Sequence, residues 1–349
     1  MKIALICPSN MLYMPYVGNY ENILKENKVD YDIINWDRFM IEDRKSSMKY
    51  RDTKVGHQRN FFDYYKYKKF IVKHLNTTKY DKVIVFGIQL TFFLKKILQK
   101  KFRGKYIIDI RDHNKVIDYF NIKKVINNSA FVVLSSPGYK EWLPDIDKYI
   151  INHNTQIQSL DELQSLEIEL NKEKINVAYI GAIRDYQVNI DFIDSLKNNS
   201  WVDIFFHGEG NINKDIQEYI DLKSIKNVYL TGRYKKEDEE KLYESNDLIN
   251  VLRYNDGINN KTALPNRLYN AVIYGKPMLA FNGTYLSEQV SKYNLGIIID
   301  SFYDMERIIN KYFKDLDVKR YNLDRRKFLE MVIMENRKFK IKLEMFIEK

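Results

Sequence analysis

The feature that most constrains the fold is the alternation of short apolar runs with helical patterns along the whole chain. "KIALIC" leads through a polar loop, "PSNMLYMPYVGNY", to the helical pattern "ENILKEN", and "DYDIINW" is a second strand-sized run. A long polar connection (37–57) and an aromatic-rich helix, "FFDYYKYKKFIVKHL", follow. "YDKVIVFG", "KYIIDIRD" and "AFVVLSS" then repeat the strand-then-helix theme. These runs are continuously apolar rather than alternating, as strands of a parallel sheet covered on both faces require. Such an alternation predicts a doubly wound α/β domain.

The pattern breaks at 152–173, "NHNTQIQSLDELQSLEIELNKE", a polar stretch read as the connection between domains. It then restarts with six strand candidates: "INVAYIG", "WVDIFFHG", "NVYLTG", "DLINVLR", "PMLAF" and "LGIIID". The stretch 322–347 is amphipathic and helical without a strand partner, and is expected to pack back on the first domain. The expected organisation is therefore a Rossmann-like domain at 1–160, a second at 161–320 and a helical segment at 321–349. A length of 349 residues suits two domains of about 150 each. Ligands of such sheets sit at the carboxyl ends of the strands, so the loops that follow the strands are where chemistry is expected.

Composition narrows the class. Apolar residues make up 45% of the chain and charged residues 30%, as in a soluble globular protein. No apolar run approaches the ~18 residues of a membrane span. "MKIALICPSN" reads as a first strand rather than a signal peptide, because its apolar run is short. The single cysteine, Cys7, excludes a disulfide framework and a cysteine-based zinc site. A cytoplasmic protein is expected. The net charge of +10 partly reflects an overall richness in lysine. The segment 95–105, "KKILQKKFRGK", stands out with six basic residues and no acid. It fits an anionic membrane surface or a phosphate-rich partner, and equally the solvated face of a helix. Nothing matches a nucleic-acid-binding module.

Gly18 and Asn19 follow the first strand, but GxGxxG and GxxxxGK[ST] are both missing, which argues against a dinucleotide fingerprint and a P-loop. Arg111-Asp112-His113-Asn114 place a cation, a carboxylate, an imidazole and an amide at one strand end; the plainer reading is a helix cap by Asp112 or Asn114. "SSPG" (135–138) reads as a cap with proline in the first turn. In the second half, "YIGAIRDY" sets Gly181 and Arg184 after a strand, "FFHGEG" sets Gly208 and Gly210, and "LTGRY" sets Gly232 and Arg233. Gly181 admits close approach of a phosphate, Gly208 and Gly210 form a bend against whose backbone a flat base can lie, and arginine supplies a planar positive fork. "PNRLYNAVIYGKP" (265–277) predicts a helix from about Pro265, with Arg267 and the free N–H groups of the first turn aimed at a phosphate. Gly275 ends that helix and Pro277 begins the next strand.

The ordered set "KIALICPSN", "YIIDIRD", "VVLSSPGYKEWL", "INVAYIGAIRDY", "FFHGEG", "NVYLTGRYKKEDEEKLYESND" and "LPNRLYNAVIYGKPMLA" resembles the retaining GT-B glycosyltransferases. The likeness is to family four, as found among enzymes of bacterial capsule and other surface polysaccharides, and covers most of the chain. It implies two Rossmann-like domains facing a central cleft, and transfer of a sugar from a nucleotide donor, typically UDP-linked, without a metal or other cofactor. It implies a donor site of Gly18, Gly181, Arg184, His207, Gly208, Glu209, Asn266, Arg267, Leu268 and Asn270. An acceptor is expected at Tyr16, Asn19 and Arg111, with Asp112 ahead of His113 as the group that orients it or takes its proton. The acceptor would be a saccharide or lipid-linked saccharide, and the activity of hexosyltransferase type. Asn270 departs from the family, whose acid at this position holds the ribose hydroxyls; a second acid eight residues earlier falls near Thr262. An amide has one acceptor oxygen where a carboxylate has two charged ones. Asp256 or Glu288 would then substitute, or the chain would be a non-catalytic binding subunit. A nucleotide-sugar epimerase is the other enzymatic alternative, with only His113, His153 and His207 available to serve it.

Overall fold

The computed structural model describes residues 1–44, 47–161, 163 and 172–349. Part of the polar connection 152–173 lies outside the described residues. These form two compact units, Met1–His153 with Met334–Lys349, and Asn154–Ile333.

In the first unit the elements run β1 (Lys2–Cys7), α1 (Val17–Glu26), β2 (Asp30–Trp36), β3 (Ser47–Tyr50), α2 (Phe61–Thr77), β4 (Lys82–Phe86), α3 (Ile88–Lys101), β5 (Tyr106–Ile110), α4 (Ile122–Asn128), β6 (Phe131–Leu134) and β7 (Tyr149–Ile151). Among the described residues they build one parallel sheet, ordered β3-β2-β1-β4-β5-β6-β7. The five runs read as strands from the sequence are β1, β2, β4, β5 and β6, the central part of that order. β3 and β7 escaped the sequence reading. Both are short edge strands, held by main-chain pairing to β2 and β6 rather than by an apolar run of their own.

The second unit runs β8 (Ile175–Ile180), α5 (Tyr186–Leu196), β9 (Val202–His207), α6 (Asn213–Leu222), β10 (Val228–Gly232), α7 (Glu239–Glu244), β11 (Leu248–Asn250), α8 (Ile258–Thr262), α9 (Asn266–Ile273), β12 (Met278–Phe281), α10 (Tyr285–Lys292), β13 (Gly296–Ile299) and α11 (Met305–Asp315). Its sheet is also parallel, ordered β10-β9-β8-β11-β12-β13. All six expected strands are present. β11 is shorter than the run "DLINVLR" because the Asn250 side chain accepts from the Leu252 amide at 2.9 Å and turns the chain out of the sheet.

A final helix, α12 (Val318–Glu348), is divided between the units. In the second unit Phe328, Leu329 and Val332 join the core beneath α9 and β12. In the first, Phe339, Leu343 and Phe346 pack against Tyr20, Phe131 and the central strands. Its closing carbonyls, of Phe346 and Ile347, are capped by the buried ammonium of Lys82.

A buried cation also closes α9. Arg325, only 2% exposed, donates from one terminal nitrogen to the carbonyls of Val272 and Ile273 at 3.0 and 3.2 Å, and from Nε to Asn322 at 2.7 Å. These carbonyls have no partner within their own helix, and the positive charge opposes the negative end of the helix dipole. Gly275, at φ 68°, then reverses the chain, with Lys276 N donating to Ala271 O at 2.8 Å. Arg325→Ala is expected to cost about 2–4 kcal/mol through the lost charged donor to Val272 O and Ile273 O and the void, read as a lower urea midpoint with an unchanged slope.

Candidate functional site

The second sheet reverses its strand order beside β8, which has β9 on one side and β11 on the other. Loops leaving the carboxyl ends of the two strands at such a reversal diverge and open a crevice. β8 feeds Gly181–Asp185 and β11 feeds the loop containing Arg253.

Gly181 has φ 124°, and a Cβ placed on it would meet nothing within 4 Å, so space lies open on that side of the residue. Tyr179, the penultimate residue of β8, clips the loop: its hydroxyl donates to Ala182 O at 2.9 Å and accepts from Arg184 N at 3.3 Å. Asp185 adopts a left-handed conformation at φ 62° and starts α5 without a side-chain cap. Arg184 is exposed. On the other side, Arg253 has its Nε 4.0 Å from Asp185 Oδ2 and without a hydrogen-bond partner. Arg267 completes the set from α9. It is buried, its guanidinium lies 3.4 Å from the centre of the Tyr179 ring, and one terminal nitrogen donates to Asn250 O at 2.9 Å. The helix itself starts one residue after the expected point, with Pro265 as an extended cap residue (ψ 154°) and no side chain capping the first turn. The first turns of α2, α4 and α10, in contrast, are capped by Asn60, Asn121 and Thr284.

Arg267 thus lies on Tyr179, Arg253 lies within electrostatic reach of Arg267, Arg184 and Asp185, and the exposed Arg184 is carried on the loop that Tyr179 clips. Burial lowers the proton affinity of Arg253, the charge of Arg267 lowers it further and Arg184 adds to this, while Asp185 opposes. An anion beside Arg253 would oppose this lowering. Arg253 was not singled out from the sequence because "DLINVLR" reads as one strand. The strand-then-arginine pattern of Arg184 and Arg233 would have found it had β11 been ended at Asn250.

Gly208 and Gly210 serve the crevice differently from the sequence reading. A Cβ on Gly208 would stand 1.9 Å from Gly181 O, and one on Gly210 would stand 1.8 Å from Ile183 O. These glycines let the β9 loop lie against the β8 loop, with Gly181 N donating to His207 O at 2.9 Å and Ile183 N to Glu209 O at 3.3 Å. Glu209 is exposed. His207 is buried, with Nδ1 2.8 Å from Thr231 Oγ1 and Nε2 3.3 Å from the Asn246 amide, so both ring nitrogens are taken up internally. Burial lowers its pKa and keeps the ring neutral.

On α9, Asn266 is exposed at the first position and Leu268 is fully buried in the core, leaving its main chain as its only polar surface. Asn270 is half-buried beside the Tyr243 hydroxyl, which also feels Glu239 and Arg267. Of the two acids considered as substitutes, Asp256 is exposed and accepts from Asn260 at 3.1 Å, and Glu288 is exposed on α10. The carboxylate brought to this neighbourhood is instead Glu239, buried, bonded by the Tyr234 hydroxyl at 3.1 Å and by Lys236. Its sequence context, "KKEDEEKLYE", carries no signal that one of five acids turns inward.

In the first unit the structure brings together Tyr16, Asn19 and Arg111. Arg111 grips the buried Asp109 with two nitrogens at 2.6 and 2.8 Å, reaches Asn152 O at 2.9 Å and Asn152 Oδ1 at 2.8 Å, and lies 4.5 Å from the Tyr16 ring centre. Asn19 donates to the same Asn152 Oδ1 at 3.4 Å, and the Tyr20 hydroxyl to Asp109 at 2.6 Å. Burial alone would weaken the hold of Arg111 on its proton, but the charge of Asp109 overcomes this and keeps the guanidinium firmly ionised. Gly18 lies in the first turn of α1, where a Cβ would meet nothing within 4 Å. Asn114, rather than Asp112, is the cap: its side chain accepts from Val116 N at 3.0 Å and starts a 3-10 turn. Asp112 is exposed, and the His113 ring packs edge-on against Trp142 with centroids 5.0 Å apart. Ser136 caps the turn at Pro137 as expected.

No protein-family profile and no curated protein sequence matches the chain. Solved structures do. Sucrose-phosphate synthase from Thermosynechococcus elongatus superposes with a TM-score of 0.72 at 12% identity over 100% of both chains. The lipopolysaccharide outer core galactosyltransferase WaaB gives 0.68 at 14% identity over 98% of this chain and 99% of its own. HepE of Anabaena in complex with UDP gives 0.69 at 12% identity over 99% and 100%. The fold is GT-B. At these identities the likeness is one of architecture, two Rossmann-like parallel-sheet domains with the last helix returning to the first.

Two measurements probe the crevice. Gly208→Ala drives a side chain into the Gly181 backbone and is expected to cost more than about 3 kcal/mol, whereas Gly181→Ala meets open space and costs only the left-handed strain of about 1–2 kcal/mol. For His207, the folded pKa lies below the 6.5 of the unfolded chain. Unfolding therefore takes up a proton on acidification. Its term is silent above about pH 6.5 and erodes stability below it, down to the folded value. His207→Gln is expected to flatten that part of the plot of urea midpoint against pH.

Proposed function

We propose that the protein is a glycosyltransferase that binds a nucleotide-sugar diphosphate at Arg184, Arg253 and Arg267. The observation that carries this reading is Arg253, whose Nε has no hydrogen-bond partner and lies 4.0 Å from Asp185, within the field of both Arg267 and Arg184. A diphosphate supplies the missing negative charge and accepts bidentate hydrogen bonds from planar forks. The uncapped first turns of α5 and α9 offer further N–H donors. The likeness to HepE, whose solved complexes hold UDP and UDP-glucose, supports a UDP-linked hexose as donor.

The reaction we infer is transfer with retention of configuration. The acceptor hydroxyl oxygen bonds to the anomeric carbon as the bond from that carbon to the diphosphate breaks. The electron pair stays with the diphosphate, where preorganised cations stabilise it, and the hydroxyl proton passes to Asp112. Tyr16, Asn19 and Arg111 form the acceptor surface, with His113 beside them. Asn270 holds the ribose through one neutral oxygen in place of a carboxylate, a weaker grip than its relatives have. The likeness to WaaB supports a saccharide or lipid-linked acceptor of a surface polysaccharide. The basic segment 95–105 would bring a cytoplasmic protein to the inner face of an anionic membrane.

Thermal-shift measurements with UDP, GDP, dTDP and CMP test the donor site. UDP at a hundredfold excess over its Kd should stabilise the protein by about 2.7 kcal/mol. Arg253→Ala and Arg184→Ala should remove most of that shift, while Arg103→Ala should leave it whole. A shift with UDP but no transfer or hydrolysis of any UDP-hexose would favour a binding subunit.

A further inference from the structure

The first unit leaves an aromatic patch uncovered. Phe61 and Phe62 occupy the first two positions of α2 and are 57% and 72% exposed, and Tyr119 is 78% exposed. Phe61 contacts Phe62 and Phe92 of α3 at ring-centroid distances of 6.0 and 6.5 Å, and Phe92 continues to Phe120 at 5.5 Å. Lysines are interleaved with the rings. Lys95 Nζ lies 3.5 Å from the Phe92 centroid and 5.6 Å from that of Phe120, and Lys68 and Lys69 lie 5.4 and 5.0 Å from that of the exposed Tyr65. The proton affinity of Lys95 is lowered by burial and then by the charges of Lys68 and Lys96.

The exposure of these rings has a local cause. Asn60 and Asp63 form a reciprocal capping box that fixes the first turn of α2. The helix buries Tyr64, Tyr67, Ile71 and Leu75, so Phe61, Phe62 and Tyr65 fall on the other stripe. Asp63, the acid among these aromatics, turns into the cap and pairs with Lys54. Asp118 is exposed at the rim, beside Tyr119.

We propose that this patch is an interfacial membrane anchor, in which Phe61, Phe62, Phe92 and Tyr119 enter the headgroup region of an anionic leaflet while Lys68, Lys69, Lys95 and Lys96 bind lipid phosphates. This rests on the membrane-face reading above and replaces a simple basic stripe with a two-part contact. Charge brings the protein to the surface, and the aromatic rings hold it there. A second copy of the chain would set the same lysines against each other. Single-stranded nucleic acid needs open ring faces on which to stack, whereas Lys95 and Lys68/Lys69 cover those of Phe92 and Tyr65.

The test is flotation of the full chain with phosphatidylcholine vesicles, with and without about one third phosphatidylglycerol. Binding is expected to the anionic vesicles alone. Phe61→Ser/Phe62→Ser should lower the partition coefficient by about tenfold or more at unchanged charge, and what remains should vanish in high salt. Lys95→Gln/Lys96→Gln should weaken binding comparably, and Phe62→Trp should give a blue-shifted emission on adding anionic vesicles. Equal binding of wild type and the double phenylalanine variant would overturn the aromatic anchor and leave only an electrostatic stripe. No binding to any vesicle would overturn the membrane reading as well. Displacement from vesicles by a single-stranded oligonucleotide, or a concentration-dependent dimer lost in the phenylalanine variant, would overturn it in favour of those partners. The UDP-induced thermal shift, measured on the same variants, is expected to be unchanged, which keeps a failure here separate from a failure of the donor site.

Discussion

A buried guanidinium has to be held, and the holding of Arg267 organises the second unit around its crevice. Removing a charge from water costs several kcal/mol unless hydrogen bonds and a polarisable face replace the lost hydration. Arg267 obtains the face from Tyr179 on β8 and the acceptor from Asn250 at the end of β11. One side chain therefore ties α9 to the two strands that flank the reversal of the sheet. The same tyrosine clips the loop carrying Arg184, so the groups around the crevice are positioned by a common set of contacts. At its other end α9 is closed by Arg325, whose carbonyl contacts fix the axis along which the first turn points.

The two units spend their buried charge in opposite ways. In the first, Arg111 is matched by Asp109, and Tyr20 and Asn152 take up what remains, so the network is close to self-sufficient. Such a network positions neighbours, here Tyr16 and Asn19, and leaves little field for an incoming anion. In the second, Arg253 has a distant carboxylate and an unpaired Nε. This imbalance, with open space on the Cβ side of Gly181, is what the proposed donor site rests on. Its sharp form depends on Gly208 and Gly210, because any side chain there would lift the β9 loop away from the β8 loop.

Much of this was legible in one dimension, and the misses have physical causes. The eleven apolar runs all became strands, since a run buried on both faces must be apolar throughout. The edge strands β3 and β7 were invisible because their pairing is supplied by a neighbour's main chain. The places of Gly181 and Arg184 after a strand and of Arg267 in the first turn of a helix were legible. Arg253 was hidden by a strand that stops early, and the inward turn of Glu239 was hidden among acids of identical local context.

The sequence by itself determined two parallel sheets, the order of the loops that end them and a basic, proline-led helix start, because hydrophobic periodicity and cap chemistry are local properties. Tertiary structure decided which charges meet. Arg111 is neutralised by a carboxylate two residues away, Asp109, but the acceptors that take up its remaining N–H groups come from Asn152, far along the chain, and the carboxylate nearest the unpaired Nε of Arg253 comes from Asp185. It also decided that Phe61 and Phe62, at the start of the aromatic-rich helix, stand exposed near lysines. The phase of α2, set by the Asn60 cap and by the buried face it presents, places them there.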